Sequence, residues 1–191
     1  VLTVAAFAID LPVARLVDEI SLPGDLRKLV TLAEVFGHGT GAACILLTAY
    51  VLDRSHRRRV LRLACCAFGP GLLANLGKLS IVRFRPRVLD HTSLNGSVWD
   101  TFSGWFPALT GAAAEVGSSS DIQSFPSGHT AVAVGLAIGL AGCYPHGRWL
   151  FALFALLAAL QRIECSAHFP SDTLAGAAVA CLWCGVCFDP R

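Results

Sequence analysis

Long apolar runs separated by short polar knots organise this chain. Residues 29–52, 60–77, 128–144, 149–163 and 173–188 are almost free of charge, and none shows the polar face that a water-exposed helix carries. A bilayer crossing takes about 20 apolar residues, and several of these runs sit at the short end of that range. Small residues thread through them, as Gly37, Gly39 and Gly41 or Gly135, Gly139 and Gly142, which suits close helix packing in lipid. The pattern predicts an all-α, polytopic membrane helical bundle with five complete transmembrane helices. Val1 to Ile9 is too short to cross and reads as the tail of a first such helix in preference to that of a signal sequence, since Asp10-Leu11-Pro12 follows without a small-residue cleavage pattern.

Composition strengthens this reading. Hydrophobic residues make up 54% of the chain and charged ones 15%, against about 25% charged in a soluble domain. The length suits a single domain over residues 1–191, with residues 88–125 as a long outer loop. A net charge of +2 without a basic stripe argues against a nucleic-acid partner and leaves membrane lipids as the natural surroundings. Of the eight cysteines, Cys181, Cys184 and Cys187 lie inside an apolar run and read as small hydrophobes, with no disulfide framework implied.

The run of cations from Arg54 to Arg59 is the densest in a short loop and predicts a cytoplasmic side. Counting crossings from there puts Lys78 to Phe125 and the loop around His168 on the outer face. For a bacterial source the chain is then an integral protein of the inner membrane with its chemistry facing the periplasm.

That chemistry sits in three short strings at the edges of apolar runs. Lys78 is followed by Arg85-Pro86; Pro126-Ser127-Gly128-His129 opens the third run; Arg162 precedes His168 and Asp172. Together they supply three cations, two imidazoles, a carboxylate and a helix start whose free N–H groups attract an anion. Asp172 lies four residues after His168, so the carboxylate can reach one ring nitrogen and leave the other facing phosphate. Asp172 as the cap of the last apolar helix is the plainer alternative.

In this order the strings resemble the signature of the type 2 phosphatidic acid phosphatase (PAP2) family, which also includes glucose-6-phosphatase-like enzymes, bacterial acid phosphatases and vanadium haloperoxidases. One position departs: Gln161 stands where the family usually has serine before Arg162. The resemblance implies a PAP2/haloperoxidase-like core and a metal-independent phosphatase without cofactor, acting on a lipid phosphate or pyrophosphate. It casts His168, held by Asp172, as nucleophile and His129 as the acid that protonates the leaving oxygen. Lys78, Arg85, Arg162 and the N–H groups of Ser127 and Gly128 then hold the phosphate oxygens. A lipid phosphotransferase, a haloperoxidase-like protein and a non-catalytic phosphate-binding protein remain as alternatives.

Four secondary expectations complete the reading. Arg83 and Arg87 are taken as headgroup-facing or solvated charges. Glu34 and His38, four apart, either pair with each other or line the pocket. Trp99, Phe102, Trp105 and Phe106 have the spacing of a short helix lying in the headgroup layer, with a loosely folded extracellular cap as the alternative. Gly117 to Ser120 reads as a flexible hinge before the second string.

Overall fold

The N-terminal residues form helix α1 (Leu2–Ala6), a 3-10 turn and helix α2 (Asp10–Glu19). Six longer helices follow: α3 (Gly24–Gly37), α4 (Gly39–Leu52), α5 (Val60–Lys78), α6 (Gly128–Cys143), α7 (Arg148–Glu164) and α8 (Pro170–Phe188). The computed structural model describes residues 1–20, 22–55, 57–89, 97–106 and 120–188.

Helix α6 is the hub, and its sequence explains why. It is built mainly from Gly, Ala, Val and Leu, so neighbours can close on it from several sides, and most of its residues are buried. A Cβ at Gly135 would collide with the Cys66 carbonyl of α5, so the two helices touch only because position 135 has no side chain. Leu63 and Ala67 from α5 meet Ala133, Leu136 and Leu140 from α6 and Ala155 and Ala158 from α7 in the main core. Helix α8 joins α5 through the Trp183 indole N–H, which donates to the Cys65 carbonyl at 2.9 Å. Helix α3 lies along α7, tied by Arg27 to Glu164 at 3.1 Å and by Phe36 against Phe154 with ring centroids 5.5 Å apart.

The run expected as one helix over residues 29–52 is two. It breaks at His38, whose backbone is extended, and α3 and α4 meet at a bend of 71°. His38 lies between Gly37 and Gly39, and its Nδ1 accepts from the Thr40 N–H at 3.4 Å, capping α4. Two helices, Arg57–Lys78 and Pro170–Cys187, are long and apolar enough to cross a bilayer alone, and α3 with α4 qualifies only as a bent pair. Length and composition therefore support two or three of the five expected spans among the described residues. The outer surface of the bundle is apolar: Leu32, Leu47, Leu61, Leu72, Leu156 and Leu182 are between 56% and 82% exposed. Such a circumference belongs in lipid, and the chain is a membrane protein.

The described part of the outer segment does not form the one short helix that its aromatic spacing suggested: Trp99 lies in a 3-10 turn and Phe102 and Trp105 in a strand. Strand β1 (Ile81–Arg83) pairs antiparallel with β2 (Phe102–Trp105), Ile81 facing Trp105, so the all-α expectation needs a small two-stranded sheet added. Backbone pairing with Ile81–Arg83 overrides the helical spacing here. A 3-10 turn, Val98–Thr101, precedes β2, and Trp99 and Phe102 pack on Phe7 with centroids 5.6 and 6.1 Å away. The hinge expected at Gly117 to Ser120 lies, but for Ser120, outside the described residues.

Candidate active site

Backbone hydrogen bonds stitch the three strings together at one end of the bundle. Arg83 N–H donates to the Ile122 carbonyl at 3.0 Å and Arg85 N–H to Asp121 at 2.8 Å, joining the first string to the approach to the second. Arg87 N–H donates to Ser166 at 3.0 Å and Ser127 N–H to Asp172 at 3.0 Å, which brings in the third. A Cβ at Gly176 would overlap the Ser127 carbonyl, so α8 reaches the start of α6 through a missing side chain.

His168 lies in the turn between α7 and α8, 2% exposed, with its N–H donating to the Arg162 carbonyl at 3.1 Å. Its Nδ1 stands 3.7 Å from Asp172 Oδ2, close enough for charge attraction but too far for a hydrogen bond. Burial pushes the imidazole pKa below its ordinary value; Asp172 partly restores it, and Arg85 and Lys78 lower it further. Asp172 is in the first turn of α8 and is not its cap. Its Oδ2 reaches back to the Phe169 N–H at 2.8 Å and accepts from Ser124 Oγ at 2.6 Å.

Asp172 Oδ1 takes the guanidinium of Arg83, which corrects the reading of that arginine as solvated or headgroup-facing. Arg83 has 0% exposure. It also binds Asp10 Oδ2 at 2.6 Å, Ser171 Oγ at 2.7 Å and Thr101 Oγ1 at 3.1 Å. Phe7, Phe102 and Phe169 rings cover it at 4.3 to 5.3 Å. Arg87 does match its expectation: it is 43% exposed and paired with Asp121 at 2.6 Å, which holds the Asp121 pKa below the usual carboxylate range.

Lys78 ends α5 and Arg85 precedes the next 3-10 turn. Burial, then neighbouring Arg87 and Arg162, disfavour the Arg85 charge, and its buried Nε has no partner among the described residues. Ser127 caps α6, accepting from the Thr130 N–H at 3.4 Å and the Thr130 hydroxyl at 3.1 Å. Because its own N–H is spent on the Asp172 carbonyl, Ser127, with 0% exposure, does not supply the backbone donor expected from the sequence. Gly128, the first residue of α6, keeps a donor without an intrahelical acceptor.

Arg162 ends α7 only 9% exposed. Gln161 Oε1 accepts from its Nε at 2.5 Å, so the departure from serine supplies a holding contact of its own. Glu34 Oε1 takes its Nη2 at 2.7 Å and lies 3.8 Å from His129 Nε2. Glu34 is therefore turned into the site and bound to Arg162. His38 packs instead on His129, ring centroids 5.6 Å apart.

A cavity of about 360 Å³ opens beside His129 and Lys78, lined also by His38, Asn75, Phe68 and Leu72. A larger one, about 580 Å³, is an apolar groove between α6, α7 and α8 and contains none of the charged site residues. The smaller cavity is the one that meets the chemistry. Asn75 was not foreseen; its Oδ1 would lie 3.2 Å from a Cβ at Gly128, and nothing in its sequence context marks it. Asp10 and Arg83 were likewise missed as parts of the site.

The PAP2 superfamily model matches residues 59–189. A lipid A 1-phosphatase of Rhizobium etli is 30% identical over 172 residues, covering 82% of this chain and 67% of that protein. A lipid A 1-phosphatase of Rhizobium johnstonii is 36% identical over 109 residues, covering 56% of this chain and 38% of that one. The crystal structure of Aquifex aeolicus LpxE shares the fold at a TM-score of 0.66, with 22% identity and 94% of each chain covered. With the family model spanning well over half of it, and the three strings brought to one end of a matching bundle, the chain belongs to the PAP2 superfamily.

Proposed function

We propose that this chain hydrolyses a lipid phosphate monoester through a phosphohistidine on His168, without a metal. It is a phosphatase of the PAP2 type. The observation that carries the mechanism is the setting of His168: its Nδ1 faces Asp172, so Nε2 is the nitrogen left for phosphorus, among Lys78, Arg85 and Arg162. A neutral, buried imidazole keeps its lone pair available, and burial favours that form.

His168 Nε2 forms a bond to phosphorus as the bond to the leaving oxygen breaks, and His129 gives that oxygen its proton. Water then attacks the phosphohistidine, His129 takes the water proton, and inorganic phosphate leaves. Lys78, Arg85, Arg162 and the Gly128 N–H hold the oxygens of the transferred group. Catalysis of this kind is mostly positioning plus electrostatic stabilisation.

The two Rhizobium relatives make a lipid A-type 1-phosphate the first substrate to test. The cavity beside His129 supports a bulky leaving group with polar atoms, since His38 and Asn75 line it beside Phe68 and Leu72. The α3–α4 pair with α5, α6, α7 and α8 makes five crossings. Arg57–Arg59 lie at the end opposite the site, at the start of α5, and cations favour the cytoplasm, so the site faces outward, to the periplasm of a bacterial inner membrane.

Purified protein in detergent with EDTA, offered lipid A 1-phosphate, phosphatidic acid, an isoprenyl pyrophosphate and a sugar phosphate, tests this reading by release of inorganic phosphate. Release fastest from the lipid A 1-phosphate is expected. Phosphate delivered to an added lipid alcohol instead of water would make the protein a phosphotransferase.

A further inference from the structure

We infer that Glu34 is a positioning residue of this site: its carboxylate fixes Arg162 and supplies the negative charge that keeps His129 ready to donate its proton. The inference rests on the acid role proposed for His129. Residue 34 lies outside the matched residues 59–189, so no family string points to it.

The geometry is specific. Glu34 Oε1 is 2.7 Å from Arg162 Nη2 and 3.8 Å from His129 Nε2. Gln161 holds the Nε edge of the same guanidinium at 2.5 Å, so the fork is gripped on two sides while its remaining donors stay available. Glu34 reaches this place because α3 descends onto the first turn of α6. A Cβ at Gly37 would lie 2.8 Å from the His129 carbonyl oxygen, so only glycine permits that approach without displacement.

The charge balance explains why a carboxylate is needed. The groups that face His129 are His38 from the α3–α4 break, Lys78 from α5, Arg162 from α7 and His168 from the turn before α8, with Glu34 from α3. Four of the five are cations or imidazoles, a balance that suits a phosphate dianion and leaves Glu34 as the counter-charge. Among the described residues, Glu34 is the one carboxylate within ion-pair distance of either His129 or Arg162. An opposite charge within about 4–6 Å favours the charged form of its neighbour.

The test compares Glu34→Gln, which keeps an acceptor for Arg162 and removes the charge, with the unaltered enzyme and with His129→Ala. An alkyl or glycosyl phosphate serves as poor leaving group and p-nitrophenyl phosphate as good one. A general acid must be protonated, so kcat/KM on the poor leaving group falls as pH rises past its titration. In Glu34→Gln that alkaline limb should move to lower pH by about one unit, with roughly tenfold lost at neutral pH on the poor leaving group and little on the aryl phosphate. A purely structural role would cost both substrates alike and leave the limb in place; that result overturns the proposal. If His129→Ala itself costs both substrates equally, the acid assignment falls and Glu34's role with it. A leaving-group effect in His129→Ala with an unmoved limb in Glu34→Gln overturns the Glu34 role alone.

Discussion

Asp172 gives one carboxylate oxygen to Arg83, and both side chains have 0% exposure, while the imidazole it was expected to grip stands 3.7 Å from the other oxygen. Arg83 thereby joins the start of α8, just after the turn that carries His168, to Asp10 at the start of α2. Removing the cation leaves two buried carboxylates without their partner, a change that typically costs about 3–5 kcal/mol. Arg83→Gln should therefore lower the unfolding midpoint in detergent sharply. Arg87→Gln, breaking an exposed pair, should cost about 1 kcal/mol or less. Similar small shifts in both would remove Arg83 from the centre of the structure.

Gln161 is predicted to matter through Arg162 and not through the fold. Losing one hydrogen bond to a charged group costs about 1.5 kcal/mol, roughly a tenfold loss in kcat/KM. Gln161→Ala should show that loss with an unfolding midpoint near the parent's. Full activity in Gln161→Ala would mean that Glu34 alone holds the guanidinium.

The pH dependence follows from burial of His168. Its pKa lies below the ordinary value of about 6.5, so the unfolded chain takes up this proton first as pH falls. The contribution of His168 to stability is thus fully present above about pH 6.5 and is lost as pH drops toward the folded value. Between about pH 8 and pH 5, the parent should lose more stability than His168→Gln. Identical slopes would contradict the burial argument. On the proposed mechanism the nucleophile is neutral His168, so turnover should keep its acid limb below about pH 6.5.

On the proposed mechanism Lys78, Arg85, Arg162 and the start of α6 hold a trigonal bipyramidal oxyanion. Vanadate should compete with substrate, and activity should survive EDTA. Strict dependence on added magnesium would show that charge is neutralised in another way.

Sidedness is checked by single cysteines in a background stripped of native ones. Ser103→Cys, exposed on β2, should react with a membrane-impermeant maleimide in intact cells, whereas Ser55→Cys should react only after lysis. The reverse pattern would place the site on the cytoplasmic leaflet.

The motif residues were legible because their chemistry is tied to local spacing: His168 and Asp172 four apart, Ser127 capping the run that His129 enters. What stayed hidden depends on pairing between distant positions. Arg83 meets Asp10 from 73 residues away and Asp172 from 89, and no local pattern separates such a buried arginine from a solvated one. The sequence left Glu34 between pairing with His38 and lining the pocket, and could not name its partner Arg162 on α7. The glycines around His38 looked like packing residues in a continuous helix, because nothing local distinguishes that use from a break. Phe102 and Trp105 carried helical spacing, yet their conformation is decided by pairing with β1, which lies before the long outer loop.

The central claim is a covalent phosphohistidine on His168. Enzyme mixed with phosphate-labelled lipid substrate, quenched in alkali and analysed by peptide mass, should carry phosphate on the peptide containing His168, stable in base and lost in acid. His168→Ala should show neither label nor turnover, while Asp172→Asn keeps a trace of both. Near-normal turnover in His168→Ala, or label on another residue, would contradict the account.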